Sequence, residues 1–132
     1  MSPAIRVSAA VVTDAAGWAL VVRKRGTEMF MQPGGKPEAG ESAATALVRE
    51  LAEEIGVRVT AADLRPLGTF EAEAANEPGH LVVADAFAVR LERHDVVVGG
   101  EIAEARWIAP GGGHDLALAP LSRDLLLPLA WR

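Results

Sequence analysis

The chain has 132 residues, of which 50% are hydrophobic and 23% charged, a composition typical of one globular domain with a single core. It contains no cysteine, which excludes disulfides, thiolate metal sites and cysteine nucleophiles, so a metal ion must be held by oxygen or imidazole. A formal net charge of -5 argues against nonspecific nucleic-acid binding, and no apolar run reaches membrane-spanning length. The N-terminus also lacks the long apolar region of a signal peptide. We expect a cytoplasmic protein, one domain over residues 1–132, with no nucleic acid and no membrane as partners.

The first half of the chain shows strand and turn patterns followed by one helix. Two apolar runs, residues 5–12 and 19–23, flank the turn-forming stretch TDAAGW and predict a β-hairpin. A loop rich in glycine and proline, QPGGKPEAGE, comes next. From Ser42, a good N-cap, apolar residues recur at spacings of three and four as far as Gly56, a natural helix stop. The pattern predicts an amphipathic helix between these two residues.

The second half of the chain is typical of strands followed by a short helix. The stretches LRPLGTFEAEA and HLVVADAFAVRL predict two strands around an exposed NEPG turn, and EARWIA predicts another strand. The tail LSRDLLLPLAW predicts a short helix that Pro128 interrupts or ends, because proline cannot donate a backbone hydrogen bond. The sequence has no internal repeat or long linker, so we expect one mixed α/β domain with hairpin-connected strands.

Acidic residues are concentrated near the end of the predicted helix. Glu50, Glu53 and Glu54 share one helix face, and Arg49 is the only basic residue between positions 42 and 57. Repulsion among these carboxylates and with the negative end of the helix dipole costs roughly 1–2 kcal/mol. One interpretation is a solvated helix face, although such faces usually intersperse lysine with glutamate. The other is a site for a hard divalent cation such as Mg²⁺, which prefers oxygen ligands.

The stretch from Gly35 to Val57 resembles the Nudix box, the family pattern G-x5-E-x7-R-E-U-x-E-E-x-G-U, in which U is a bulky aliphatic residue. Every fixed position of the pattern is filled, in register, by Gly35, Glu41, Arg49, Glu50, Leu51, Glu53, Glu54, Gly56 and Val57. The resemblance implies the family's fold, an α/β/α sandwich with a mixed β-sheet.

The resemblance also implies an activity, the hydrolysis of a nucleoside diphosphate linked to a further moiety X. In this family, water attacks phosphorus with the help of Mg²⁺ or Mn²⁺. Glu50, Glu53 and Glu54 match the family's metal-binding acids, and the carbonyl of Gly35 matches a common backbone ligand. Glu50 can alternatively orient or deprotonate the water, so the general base stays open, as does the number of metal ions.

Three further residues, two in the box and one next to it, have supporting roles in this interpretation. We expect Arg49 to pair with a carboxylate and so fix the rotamer of that side chain, with Glu41 as its candidate partner. Gly34, with its neighbouring glycine, would let the backbone bend sharply and approach phosphate. A plain tight loop is the alternative for the two glycines.

Outside the box, the resemblance to MutT-like members points to a further metal-binding and catalytic acid on a distant loop. Glu101, six residues before Trp107, is the candidate, with Glu104 as the competitor and a solvated loop as the alternative for both. The segment GGEIAE begins with two glycines and predicts a flexible loop that swings Glu101 toward the helix. Arg23 and Lys36 resemble nucleotide-contacting positions, so we expect them to bind the polyphosphate unless they are simply solvated.

Features of the family's subgroups narrow the substrate. The downstream proline typical of ADP-ribose members would fall near Glu73, and the tyrosine typical of diadenosine-polyphosphate members is absent because this chain has no tyrosine. The short chain favours a MutT-like enzyme that converts a (deoxy)nucleoside triphosphate to the monophosphate and pyrophosphate. The asparagine that reads oxidised guanine in such enzymes has no clear counterpart, since its offset from Trp107 falls on Ser122.

Two other functions remain open. One is a pyrophosphatase of the nucleotide-sugar or ADP-ribose type, and the other is a non-catalytic nucleotide-sensing Nudix module. Sensor modules usually lack some of the acids of the box, and this chain has all of them. The sequence leaves the oligomeric state open between monomer and homodimer.

Overall fold

A computed structural model describes residues 4–74 and 77–131 of the chain. In this part, seven strands form one sheet, with the bounds β1 Ala4–Thr13, β2 Ala19–Lys24, β3 Phe30–Met31, β4 Gly34–Gly35, β5 Arg65–Glu73, β6 Leu81–Arg90 and β7 Ile102–Ile108. The α-helices are α1, Ala43–Ile55, and α2, Leu127–Ala130, and a π-helical segment, Ser122–Leu126, leads directly into α2. Within the described ranges, no helix is both long enough and apolar enough to span a membrane.

The sheet is mixed, as the resemblance implied. Strands β1 and β2 are antiparallel, and so are β5 and β6, which confirms the two predicted hairpins. Asn76 of the predicted NEPG turn lies outside the described residues. The central pair, β1 and β6, is parallel over its whole length, so these two strands are not joined as a hairpin. Parallel strands need a long crossover connection, and here the crossover contains α1.

Helix α1 begins and ends at the residues that the sequence predicted. The hydroxyl of Ser42 accepts a hydrogen bond from the backbone N–H of Thr45 at 3.1 Å, and Gly56 adopts the left-handed conformation with φ of 67°. Its apolar face, which includes Leu47, Leu51 and Ile55, is fully buried against the sheet. Beside this apolar face, Glu50 and Glu54 point toward the glycine strand β4, where Glu54 accepts the N–H of Gly34 and Glu50 lies against Gly35.

The core has a layer on each face of the sheet. On one face, α1 packs against apolar residues of the central strands, including Val12, Leu20 and Phe87. On the other face, Leu121 and Leu126 of the C-terminal helical segment pack against alanines and valines of β1 and β6. The two layers confirm the α/β/α sandwich.

The C-terminal helix differs from the prediction at Pro128. The chain remains helical to Ala130, so the proline does not end the helix. It lies in the first turn of α2, where a missing N–H costs little, and the hydrogen bonding just upstream widens to the π pattern of Ser122–Leu126. This irregular segment holds Ser122 buried beneath the sheet.

Candidate active site

The glycine strand β4 lies between two cavities. It pairs with β1 in the register Ser8 to Gly35 and Ala9 to Gly34. Gly34 has φ of 152°, and a Cβ atom there would overlap the carbonyl oxygen of Ser8. A Cβ atom on Gly35 would lie 2.6 Å from the carboxyl carbon of Glu50. Position 34 therefore requires glycine because of the neighbouring strand, whereas a side chain at position 35 would displace the carboxylate of Glu50.

The first cavity has a volume of about 270 Å³. It is lined by four glutamates, Glu50, Glu53, Glu54 and Glu101, and by Gly100. The structure thus brings the three helix acids and Glu101 together, as expected. In residues 4–74 and 77–131, no three acidic or histidine side chains stand in metal-ligating geometry. Two contacts account for this: Glu50 is turned toward Arg49, and an oxygen of Glu54 accepts the N–H of Gly34 at 3.1 Å.

The pKa of Glu54 is strongly shifted from its ordinary value. Its side chain is buried, and burial raises its pKa to about 8, with a further increase from the nearby Glu50 carboxylate. The N–H of Gly34 and the charge of Lys24 lower the pKa only in part. Without a cation, Glu54 therefore holds a proton at neutral pH, and a positive charge in the cavity would favour its ionised form.

Arg49 pairs with Glu41, which confirms the predicted contact. Its guanidinium donates to both oxygens of Glu41, at 2.8 and 2.9 Å, and to Glu50 at 2.7 Å. It also donates to the carbonyl of Lys36 at 3.2 Å. The hydrogen bonds from Arg49 lower the pKa of Glu41 to about 2. One arginine thus connects the loop after β4 to the acids of the helix and restrains Glu50.

Glu101 and Glu104 have different surroundings. Glu104 lies within β7 and is bound by Arg106 at 2.6 Å and Arg23 at 3.4 Å, and hydrogen bonding to Arg106 lowers its pKa. Glu101 precedes β7 and lines the acidic cavity. Of the two candidates, only Glu101 is placed beside the helix acids in the described structure.

Hydrogen bonds join the segment that carries Glu101 to β2 and to the end of α1. The N–H of Gly99 donates to the carbonyl of Glu54 at 3.0 Å, and the N–H of Arg25 donates to the carbonyl of Glu101 at 2.8 Å. The Arg25 guanidinium also donates to the carbonyl of Gly100. Any Cβ atom on Gly99 would come within 3.0 Å of the carbonyl oxygen of Glu53. The glycines permit close approach of this segment to the end of α1.

The basic residues divide between the site and its surroundings. Arg23 donates to the carbonyl of Thr27 at 2.9 Å and to Glu104, and within the described ranges it lines neither cavity. Lys24 and Lys36 both line the second cavity. From the basic run Arg23-Lys24-Arg25 the sequence singled out Arg23, whereas Lys24 is the residue of the run that lines the cavity. The alternation of side chains along β2 was the available signal, because neighbours on a strand face opposite sides.

The second cavity, of about 170 Å³, lies on the other side of β4, between the sheet and the C-terminal helical segment. Its walls are mainly apolar, from side chains such as Ile5, Val7, Val82, Leu121 and Leu126. Three buried polar residues, Ser8, Gln32 and Ser122, interrupt the apolar surface. Sequence reasoning noted Ser122 but missed Gln32, which precedes the Pro-Gly-Gly turn and gives no signal of its own.

A profile of the NUDIX domain family matches residues 3–126. A Bacillus subtilis (strain 168) protein with the provisional name 8-oxo-dGTP diphosphatase is 30% identical over 92 residues, which are 70% of this chain and 58% of that protein. The match thus spans less than two thirds of that relative.

Solved structures agree on the fold. A MutT NUDIX hydrolase from Burkholderia pseudomallei superposes with a TM-score of 0.76 at 20% identity, covering 98% of this chain and 97% of the other. A Francisella tularensis bifunctional NMN adenylyltransferase/ADP ribose pyrophosphatase, complexed with AMP and a Mn ion, superposes with a TM-score of 0.72 at 17% identity, covering 98% and 42%. The family profile matches residues 3–126 of the chain, and every position of the box is filled. The chain therefore belongs to the NUDIX family.

Proposed function

We propose that the chain hydrolyses a (deoxy)nucleoside triphosphate to the monophosphate and pyrophosphate, with Mg²⁺ or Mn²⁺ as cofactor. The observation that carries the proposal is the pair of cavities on either side of β4, one lined by carboxylates and the other apolar. A nucleoside in the apolar cavity would extend its phosphates over Gly34 and Gly35 toward the acids. The name of the Bacillus subtilis relative, a nucleoside triphosphate diphosphatase, supports this substrate class.

The donor set fits a hard divalent cation. Glu50, Glu53, Glu54 and Glu101 offer oxygen ligands around one cavity, and the carbonyl of Gly35 would complete the set. Burial raises the pKa of Glu54, and a bound cation would favour its ionised form. When bound, Mg²⁺ or Mn²⁺ neutralises phosphate oxygens and lowers the pKa of a water.

The other residues of the site bind and orient. Lys24 and Lys36 lie at the boundary between the cavities, where their charges would offset those of a polyphosphate. Arg49, held by Glu41, would fix the carboxylate of Glu50 so that it either binds the cation or accepts a proton from the attacking water. Arg23 would act less directly, because its guanidinium donates hydrogen bonds to Glu104 and to the carbonyl of Thr27.

A second candidate is hydrolysis of a nucleotide sugar or ADP-ribose. The fold shared with a protein that includes an ADP ribose pyrophosphatase favours this alternative, because the same cavities could hold either leaving group. A non-catalytic sensor is the third candidate, and it is disfavoured because every acid of the box is present and three of them line one cavity.

The deciding experiment is a screen of nucleoside triphosphates, nucleotide sugars and dinucleotides with Mg²⁺, with products identified by mass spectrometry. We expect a triphosphate to yield monophosphate and pyrophosphate, and the Glu53→Gln protein to serve as the matched inactive control. Turnover of nucleotide sugars or ADP-ribose alone would replace the triphosphate proposal by the second candidate. No turnover of any compound would support the sensor.

A further inference from the structure

The apolar cavity contains one polar pair that the proposed chemistry does not use. Gln32 is 6% exposed and Ser122 is 1% exposed, yet both line the cavity. They lie 90 residues apart in sequence and meet only because the C-terminal helical segment packs under the sheet. A buried amide that lacks partners is destabilising, so the orientation of Gln32 and its remaining hydrogen-bonding groups indicate what the cavity can bind.

The hydrogen bonds between the two residues determine which end of the amide is free. The Ser122 oxygen accepts the backbone N–H of Gln32 at 3.3 Å. The one hydroxyl proton of Ser122 is donated to the side-chain oxygen Oε1 of Gln32. Among the described residues, the side-chain hydrogen bonds of Gln32 run to Ser122 alone. The amide nitrogen Nε2, with its two protons, makes no hydrogen bond to the described residues, and Gln32 lines the cavity, so these donors are available to a ligand there.

We propose that Gln32 selects the nucleobase, favouring a base with a carbonyl group at the position it contacts, a 6-oxopurine, over adenine. Ser122 is the positioning residue that holds the amide in the donating orientation. A carbonyl oxygen accepts from Nε2, whereas the 6-amino group of adenine would place a donor against a donor and leave both unpaired in a buried site. The inference rests on the proposed function only in taking the ligand to be a nucleotide.

The alternative is that the pair only joins the C-terminal segment to the loop before β4. A joining role would make substitutions lower the stability of the fold without changing any preference among bases. A selecting role changes the preference itself. Base preference is therefore the quantity to measure, and stability is the control.

The test measures binding of monophosphates without metal, so that it does not depend on hydrolysis. Isothermal titration calorimetry would compare dGMP, dIMP and dAMP. The last two differ only in the 6-substituent and the proton on the neighbouring ring nitrogen. We expect the wild-type protein to bind dGMP and dIMP about tenfold or more tightly than dAMP, the effect of one correctly paired group in a buried site.

Four variants separate selection from structure. Gln32→Leu removes the donors and should reduce the preference to within about threefold, and Gln32→Glu replaces donors by acceptors and should shift it toward dAMP. Ser122→Ala frees the amide to rotate and should weaken the preference even with Gln32 intact. Thr69→Ala is the control: it removes a hydroxyl of β5 that donates to Asp85 outside the cavity lining, and should keep the preference.

Each outcome bears on the proposal. Equal binding of dIMP and dAMP, no binding of any monophosphate, or an unchanged preference in Gln32→Leu would overturn it, even if triphosphates are hydrolysed. A preference for dIMP that weakens in both Gln32→Leu and Ser122→Ala would support it, even if no triphosphate is hydrolysed and the proposed function fails. If Gln32→Leu does not fold, the wild-type and Ser122→Ala comparison decides in the same way.

Discussion

The two cavities on either side of β4 are built in different ways. Three of the four acids in the carboxylate cavity come from five consecutive positions of one helix, and Glu101 alone comes from a distant segment. The apolar cavity draws on β1, β5, β6, the loop before β4 and the C-terminal helical segment. The comparison teaches that the chemistry of this chain is encoded locally, whereas the binding surface depends on how distant segments pack.

The cavities also differ in what stabilises them. The apolar cavity is held by packing and by paired polar groups such as Gln32 with Ser122. In the carboxylate cavity four acids share the single guanidinium of Arg49, which pairs with Glu50 and Glu53, and burial raises the pKa of Glu54 to about 8. A divalent cation should therefore strongly affect the carboxylate cavity and have little effect on the apolar cavity. Four predictions test this contrast.

The largest expected effect is that of removing divalent cations. Excess EDTA should abolish triphosphate hydrolysis, because the water and the phosphates then lose their electrostatic activation. Binding of dGMP in the apolar cavity should persist, which calorimetry would measure in parallel. With Mg²⁺ restored, the rate should rise at alkaline pH as deprotonation of the water becomes easier. Undiminished hydrolysis in excess chelator would contradict the role assigned to the acids.

The second prediction concerns Glu53, which is more than half exposed and lies at the dipole-negative end of α1. Glu53→Gln should lower kcat by about 10²-fold or more, the scale for loss of one key electrostatic group. The free energy of unfolding of the metal-free protein should stay equal or rise slightly, because a repulsive charge is removed. Steady-state kinetics and urea unfolding would measure both, with Glu71→Gln, an exposed glutamate of β5, as the control. Retained activity with a destabilised fold would indicate a purely structural helix face.

The third prediction separates Glu101 from Glu104. Because the Glu101 backbone is anchored to Arg25 and its segment to the end of α1, the carboxylate is preorganised before substrate binds. Glu101→Gln should lower kcat by roughly 10-fold or more and also weaken Mn²⁺ binding to the free protein. Glu104→Gln should change either quantity by less than about threefold, since Glu104 serves Arg23 and Arg106. Mn²⁺ titration and steady-state kinetics would be measured for both variants. If Glu104→Gln showed these losses and Glu101→Gln did not, Glu104 would be the distant acid instead.

The smallest expected effect is a pH dependence of stability in the metal-free protein. The pKa of Glu54 is raised from 4.5 to about 8, so the folded state binds more protons than the unfolded state between these values. The free energy of unfolding contributed by this group should therefore fall as pH rises from about 4.5 through 8. Urea unfolding of wild type and Glu54→Gln across this range would measure the difference, which should be absent from the variant. Adding Mg²⁺ at the alkaline end should restore stability to wild type alone; an identical pH profile in both proteins would be inconsistent with a buried, uncompensated acid.

Much of the acidic half of the site was predictable because it depends on spacing along one helix. Ser42 and Gly56 set the ends of α1 through cap geometry, and Glu50, Glu53 and Glu54 share a face at any helical periodicity. The contact between Arg49 and Glu41 followed from the resemblance of the stretch to a known pattern. The flexibility expected near Gly99 stays a prediction, and the structure adds that the same glycines allow the backbone to pack against the carbonyls of α1.

The sequence by itself determined the two hairpins, the capped helix with its face of carboxylates, and the family. These features rest on turn residues, periodicity and motif spacing, all of which act within a few tens of residues. Only the tertiary structure decided the parallel pairing of β1 with β6, the choice of Lys24 over Arg23 for the cavity wall, and the meeting of Gln32 with Ser122. A contact between residues 90 positions apart in sequence depends on how both faces of the sheet are covered, and the local sequence does not indicate that packing.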